Sequence, residues 1–298
     1  MNNPFFYIVD VFTEAKYAGN QLAVFRNCAG LSTEQMQDIA REMHFSETTF
    51  ILSDEPKNNG YDVRIFTPES ELPFAGHPTL GTSFIIRQEI IGKPVETVNL
   101  NLQVGQIPVT FKYDGDRVVE QWMRQMPPQF GPIYDIQLFA EMLSLDNNDI
   151  DGRFPIQEVS TGVFCFIVPL KSLDALKRSQ IAREKYFDLI KTTESKGVLV
   201  FAPEAHDLGS SGDLSVRFYA DEIGVPEDPA TGSANGCLAG YLVEHKYFGD
   251  DKIDIRVEQG YEMNRPSLLL HRARKLEDGK IEVNIGGASI LIAKGELV

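Results

Sequence analysis

The chain has 298 residues, of which 43% are hydrophobic, so it can bury a substantial core, and its length predicts two domains. Its formal net charge of −15 opposes binding to phosphate backbones or anionic lipid, so neither nucleic acid nor a membrane is an expected partner. It shows no leader-type segment and no apolar span of about 20 residues, and a cytoplasmic location is expected.

In chain order, the first half is predicted to be rich in strands. Runs of β-branched and aromatic residues predict strands at residues 5–12, 61–66, 95–104, 107–113 and 118–122. Between the first two runs, Ser32 and Gln35 form a capping box before an apolar stripe of helical period, which predicts a helix over residues 33–44. A second helix is predicted at residues 78–90.

The second half repeats this style. Strands are predicted at residues 157–159, 163–169, 197–201, 213–219, 253–257, 267–271, 281–285 and 289–293, and helices at 137–143, 182–191 and 233–245. A segment rich in proline at residues 126–132 is the predicted linker. The sequence therefore predicts an α+β duplication with a first half of residues 1–126 plus 286–298, the latter adding strands to a sheet, and a second half of residues 127–285.

Two glycine-bearing segments, PFAGHPTLG at 73–81 and EDPATGSANG at 227–236, share one design, and each half carries one of them. In both, a proline and a small residue precede a glycine, and an apolar pattern of helical period follows, which predicts a helix N-terminus. The unpaired N–H groups and about half a positive charge at such a start favour a carboxylate or an enolate. The sequence therefore predicts that both starts serve one active site in a cleft between the halves.

Two side chains of the first half could transfer protons. Glu47 lies between Phe45 and Phe50 in the sequence, where partial burial would raise its pKa and suit it to acid–base chemistry; a turn cap or a salt bridge is the alternative role. His77 follows Gly76 at a predicted helix start, where the dipole would lower the imidazole pKa and favour the neutral form; a structural histidine is the alternative.

Two side chains of the second half are candidates as well. Asp228 precedes Pro229, which favours extended backbone geometry at the aspartate, and Ser233 follows Gly232 at the predicted helix start. Both residues also fit ordinary roles in turns and caps, and such roles are compatible with ligand binding.

With these residues, the chain resembles the phenazine biosynthesis PhzF-like family. The segments that carry the likeness follow the family's order nearly from end to end: GNQLAV at 19–24, SETTF at 46–50, RIFTPE at 64–69, LPFAGHPTLG at 72–81, EDPATGSA at 227–234, QG at 259–260 and RPS at 265–267. The resemblance implies the diaminopimelate epimerase-like fold, in which two similar domains each wrap a β-barrel-like sheet around a central helix, with the active site between them. It also implies a homodimer.

The same resemblance implies an isomerase that moves a carbon-bound proton on a small carboxylated metabolite, similar to trans-2,3-dihydro-3-hydroxyanthranilate isomerase. Glu47 matches the family's general acid/base, which works without metal or organic cofactor, and His77, Asp228 and Ser233 match the polar residues that accompany it. The residues implied to bind substrate are Gly76 and Gly232, through backbone N–H groups, and Asn20, Ser46 and Thr231, which would line the cleft.

The sequence also bears on four other functions: a two-thiol racemase, a carboxylate-binding protein, a serine hydrolase and a metal enzyme. The related epimerases carry a cysteine before each helix-start glycine, and here Ala75 and, by the best alignment, Pro229 stand there, which excludes racemisation by two thiols. A binding protein for small carboxylates with the same fold and no turnover stays open. A serine hydrolase built on Ser233 lacks a G-x-S-x-G elbow, and the five histidines and three cysteines show no spacing typical of a metal site.

Overall fold

The structure, a computed structural model, describes residues 4–206 and 212–298. The strands are β1 (Phe5–Val11), β2 (Asn20–Arg26), β3 (Glu47–Ile51), β4 (Tyr61–Phe66), β5 (Glu71–Leu72), β6 (Thr97–Leu102), β7 (Gly105–Asp114), β8 (Arg117–Arg124), β9 (Gln129–Tyr134), β10 (Ile156–Ser160), β11 (Phe164–Pro169), β12 (Gly197–Ala202), β13 (Leu214–Ala220), β14 (Val225–Asp228), β15 (Lys252–Gln259), β16 (Ser267–Lys275), β17 (Ile281–Gly287) and β18 (Ser289–Glu296). The α-helices are α1 (Thr33–Met43), α2 (Gly76–Ile85), α3 (Ile136–Met142), α4 (Leu173–Arg178), α5 (Arg183–Ile190) and α6 (Gly232–Glu244).

The chain divides into two units, Met1–Arg124 with Gly286–Val298 and Gln125–Ile285. In the first unit the strands pair in the order β18–β1–β2–β3–β4–β6–β7–β8. The pairs β2–β3 and β4–β6 are parallel and the others are antiparallel. Helix α1 connects the first parallel pair and α2 connects the second. Every residue of α2 is buried, and the helix contacts β1, β2, β3, β6, β7, β8 and β18, so it is the central helix of this sheet.

The second unit repeats this plan. Its strands pair in the order β9–β10–β11–β12–β13–β15–β16, with β11–β12 and β13–β15 parallel. Helices α4 and α5 connect the first parallel pair and α6 connects the second. Helix α6 contacts β10, β11, β12, β15 and β16, and it is apolar and buried along most of its length. The predicted α+β class with two similar halves is confirmed.

The predicted start of the first helix and the predicted role of the closing segment are both confirmed. Helix α1 begins after Ser32, whose Oγ accepts a hydrogen bond from the Gln35 N–H at 3.2 Å, while the Gln35 Oε1 accepts from the Ser32 N–H at 2.9 Å. Strand β18 pairs with β1, so the closing segment adds a strand to the first sheet as expected.

Several local features differ from the predictions, among them strands β2, β5 and β14, which were not predicted. The predicted linker at residues 126–132 overlaps a strand, because residues 129–134 form β9, which pairs with β10. Pro132 has no N–H to donate, and it is tolerated because β9 is the last strand in the pairing order of its unit. Helix α4 was not predicted because it is short, although the Ser172 Oγ accepts from the Ala175 N–H at 3.2 Å as a helix cap.

Among the described residues, no helix is both long enough and apolar enough to cross a membrane. Cys28, Cys165 and Cys237 are all buried free thiols.

Candidate active site

The first unit presents a helix start with no side-chain cap. Helix α2 begins at Gly76 after Ala75, whose backbone is extended (φ −152°, ψ 147°) and whose side chain makes no cap hydrogen bond. Pro78 fits this first turn because its missing N–H would have no partner there. The N–H groups of the first turn and the positive end of the helix dipole suit an anionic ligand.

Beside this start, β3 and α2 bring two candidate catalytic side chains together. Glu47 is the first residue of β3 and His77 the second residue of α2, and Oε2 of Glu47 lies 3.5 Å from Nε2 of His77. Their side chains are 17% and 5% exposed, respectively. Burial lowers the pKa of His77 to about 3, opposed by a backbone hydrogen bond with Gln21. The imidazole is therefore neutral near pH 7, and the pair is a carboxyl group beside a neutral imidazole rather than a salt bridge.

Asn20 contacts the opposite side of the same imidazole. It is the first residue of β2, is buried, and places its Nδ2 3.2 Å from Nδ1 of His77. Donation from the amide to Nδ1 would place the ring proton on Nε2, the nitrogen that faces Glu47. Three of the predicted site residues thus meet in this unit, and Ser46 and Gly76 adjoin them in the chain.

The surroundings of Glu47 differ from those expected from the sequence. Residues three apart on a strand face opposite sides, and Phe50 packs with Phe45 against α1. Thr49, on the same face of β3 as Glu47, instead places its Oγ1 2.8 Å from Oγ1 of Thr82 on α2. The burial of Glu47 therefore comes from its place against α2 and not from a position between the two phenylalanines.

The second unit carries an equivalent helix start. Helix α6 begins at Gly232 after Thr231 (φ −111°, ψ 93°), whose side chain again makes no cap hydrogen bond. Asp228, buried at the end of β14, accepts a hydrogen bond at Oδ2 from the Thr231 hydroxyl at 2.5 Å. Ser233 lies in the first turn, where its carbonyl accepts from the Thr161 hydroxyl at 3.4 Å. The predicted residues of this half therefore gather at one helix start.

Three buried polar side chains packed behind this start were not predicted to belong to the site. They are Asn235 on α6, Gln259 at the end of β15 and His271 on β16, and each is fully buried. One sequence signal could have found Asn235, since it is a polar residue near the start of the mostly apolar stretch that forms α6. Gln259 and His271 lie far along the chain, and only the fold brings them to Asn235.

The buried histidines His77 and His271 make the stability of the protein depend on pH. Burial lowers the pKa of both His77 and His271 from 6.5 to about 3. Below pH 6.5 the unfolded chain binds protons that the folded chain does not, so the free energy of unfolding falls as the pH decreases towards 3. Each histidine contributes up to about 1.4 kcal/mol per pH unit to this slope.

We expect urea unfolding between pH 7 and 5 to show this loss, and His271→Asn to reduce the slope. The test compares the slope of His271→Asn with that of the parent protein over the same pH range. Equal slopes for the parent and His271→Asn would contradict the assignment of a neutral, buried imidazole.

Within residues 4–206 and 212–298, no three His, Cys, Asp or Glu side chains are grouped so that they could hold a metal ion.

Known proteins resemble this chain over nearly its whole length. Residues 9–295 match the family described as phenazine biosynthesis-like protein, PhzC-PhzF. The trans-2,3-dihydro-3-hydroxyanthranilate isomerase of Pseudomonas chlororaphis is 34% identical over 98% of this chain and 99% of its own. The crystal structure of a PhzF family protein from Bacillus anthracis gives a TM-score of 0.90 at 27% identity and covers 100% of both chains.

A more distant likeness concerns the fold alone. A hydroxyproline epimerase from Agrobacterium vitis gives a TM-score of 0.65 at 10% identity, over 100% of this chain and 91% of its own. Together with the PhzF structure, it confirms the predicted epimerase-like fold.

Proposed function

Because this chain belongs to the phenazine biosynthesis-like protein family, we propose that it moves a carbon-bound proton within a small carboxylated metabolite, with Glu47 as general acid and base. The chain is an isomerase of the PhzF type. As its substrate we propose trans-2,3-dihydro-3-hydroxyanthranilate or a close analogue, because the relative from Pseudomonas chlororaphis is named for that reaction.

The contact between Glu47 and His77 is the observation that carries this proposal. A carboxylate that is mostly shielded from water can take a proton from carbon and keep it until the proton is returned to another carbon of the same molecule. One C–H bond breaks and another forms, so the substrate and product have the same composition. A neutral His77 can hydrogen-bond to Glu47 or to the substrate without competing for the proton, since burial lowers its pKa to about 3.

The two helix starts supply the second requirement. Removal of a proton from carbon next to a conjugated carboxylate places negative charge on that group, and fixed N–H donors stabilise it. We propose that Gly76 in the first unit, and Gly232 with Thr231, Asp228 and Ser233 in the second, serve the substrate in this way. Asn20 holds the imidazole of His77 and Ser46 adjoins Glu47, so both are proposed to line the same site.

The test is incubation of the protein with trans-2,3-dihydro-3-hydroxyanthranilate in D₂O, followed by NMR and mass spectrometry. We expect an isomeric product with deuterium on the carbon that receives the proton, at less than full incorporation because a shielded carboxyl group returns part of the original hydrogen. Binding without turnover would instead identify a carboxylate-binding protein. A compound that is neither bound nor converted would overturn the proposed substrate.

A further inference from the structure

Gln259 uses every hydrogen-bonding position of its side chain behind the start of α6. Its Oε1 accepts from the Thr231 N–H at 3.1 Å and from Nδ2 of Asn235 at 2.9 Å. Its Nε2 donates to the backbone carbonyl of Asp228 at 2.8 Å and to Oγ1 of Thr231 at 3.2 Å. A glutamine side chain offers two donors and two strong acceptor positions, so this buried amide has one possible orientation.

This orientation determines the direction of the Thr231 hydroxyl. Because Oγ1 of Thr231 accepts from Gln259, its single proton is left to donate, and Oδ2 of Asp228 lies 2.5 Å away. Hydrogen bonds from a hydroxyl to a carboxylate are short and about twice as strong as neutral ones. Gln259 therefore acts on both the backbone carbonyl and the carboxylate of Asp228, although its own side chain is fully buried.

Asn235 and His271 extend this set of hydrogen bonds, and all of its members donate in the same direction. Nδ2 of Asn235 donates to the Thr231 carbonyl and to Gln259, both at 2.9 Å, which leaves Oδ1 of Asn235 to accept from Nε2 of His271 at 3.0 Å. His271 is neutral because burial lowers its pKa to about 3, so its one ring proton lies on Nε2. Each group thus donates to the next, from His271 through Asn235, Gln259 and Thr231 to Asp228, and such chains strengthen their members.

We propose that Gln259 is a positioning residue of the isomerase, which directs the Thr231 hydroxyl at Asp228 and thereby holds that carboxylate in the orientation that serves the substrate. The inference rests on the proposed function, in which Asp228 contacts the substrate. It adds a residue that touches neither the substrate nor the reacting atoms, and it gives a role to the glutamine that is buried where β15 ends.

The test compares Gln259→Glu with a matched control. The new side chain keeps the size and both oxygen positions; ionised it donates nothing, and protonated it donates one hydrogen bond, so it cannot serve both Thr231 and Asp228 as the amide does. Gln157→Glu is the control: Gln157 is also buried in the second unit, where its Nε2 donates to the Gly131 carbonyl at 3.0 Å and its Oε1 lies 2.8 Å from Nε2 of His245. Any general effect of a buried glutamate is therefore shared by both variants.

In activity, we expect Gln259→Glu to lower kcat by about 10–100-fold with a smaller change in KM, because a displaced carboxylate acts mainly after binding. Thr231→Val removes the hydroxyl that carries the effect. If Gln259 acts through that hydroxyl, the double variant has a kcat close to that of the poorer single variant, whereas two independent structural defects would multiply. Multiplied losses, or a Gln259→Glu protein with unchanged kcat, would overturn the proposal.

Crystal structures of the two variants make the result independent of turnover. We expect the short contact between Thr231 and Asp228 to be lost in Gln259→Glu and kept in Gln157→Glu. Its persistence in Gln259→Glu would overturn the positioning role. If the contact is lost in Gln259→Glu but the parent protein converts no substrate, the control of Asp228 by Gln259 stands and the proposed function is rejected instead.

Discussion

Replacement of Glu47 by glutamine is expected to lower kcat/KM by about 10²–10⁴-fold, the range that a general acid–base group contributes. Glutamine keeps the size and much of the hydrogen bonding of the side chain but cannot take a proton from carbon. Deuterium incorporation from D₂O is expected to fall with the rate, since both require the same proton transfer. Steady-state kinetics and exchange measured by NMR on the same samples check both expectations.

Glu71 provides a matched control for this variant. It lies in the first unit at nearly the same exposure, 21% for its side chain against 17% for Glu47, and it pairs with Arg64 at 2.6 Å rather than with His77. We expect Glu71→Gln to lose that ion pair and to keep kcat/KM within about threefold, since an ion pair of this kind contributes on the order of 1 kcal/mol. If Glu47→Gln keeps the parent rate of exchange while Glu71→Gln behaves as expected, Glu47 is not the base.

The second large effect is expected at Gly260, which follows β15 in the left-handed region (φ +80°). A Cβ added there would lie 2.4 Å from the Arg265 carbonyl oxygen and 2.6 Å from that of Pro229, and backbone atoms cannot move aside as flexible side chains do. We therefore expect Gly260→Ala to lower the free energy of unfolding by about 3 kcal/mol or more. It is also expected to lower activity, because Pro229 adjoins Asp228.

Gly279 is the control that separates the effect of the close backbone contacts at Gly260 from the effect of a left-handed backbone conformation. It has nearly the same φ (+81°), but a Cβ there meets nothing within 4 Å. Gly279→Ala is expected to cost only about 1–2 kcal/mol, the penalty of the left-handed conformation, and to leave activity unchanged. Urea unfolding of the two variants checks the difference, and equal losses of stability would show that the contacts with Pro229 and Arg265 do not matter.

Several parts of this protein could be predicted from local sequence because their causes are local. The capping box of Ser32 and Gln35 determines where α1 begins, and the glycines of the two matched segments mark the starts of α2 and α6. The linker was harder to predict, because residues 129–134 form β9, and only the pairing with β10 identifies them as a strand. A strand depends on a partner elsewhere in the chain, and a local pattern does not contain that partner.

The candidate site divides in the same way. The sequence alone identified Glu47, His77, Asp228 and Ser233 as chemically suitable residues and placed two of them at helix starts. Only the tertiary structure placed Glu47 against α2, 3.5 Å from His77, with Phe50 on the opposite face of β3. Only it joined Asn235, Gln259 and His271 behind Asp228 and Thr231. Helix starts and caps follow from neighbours in the chain, whereas burial and side-chain hydrogen bonds depend on groups that are distant in sequence and meet only when the sheet closes around its helix.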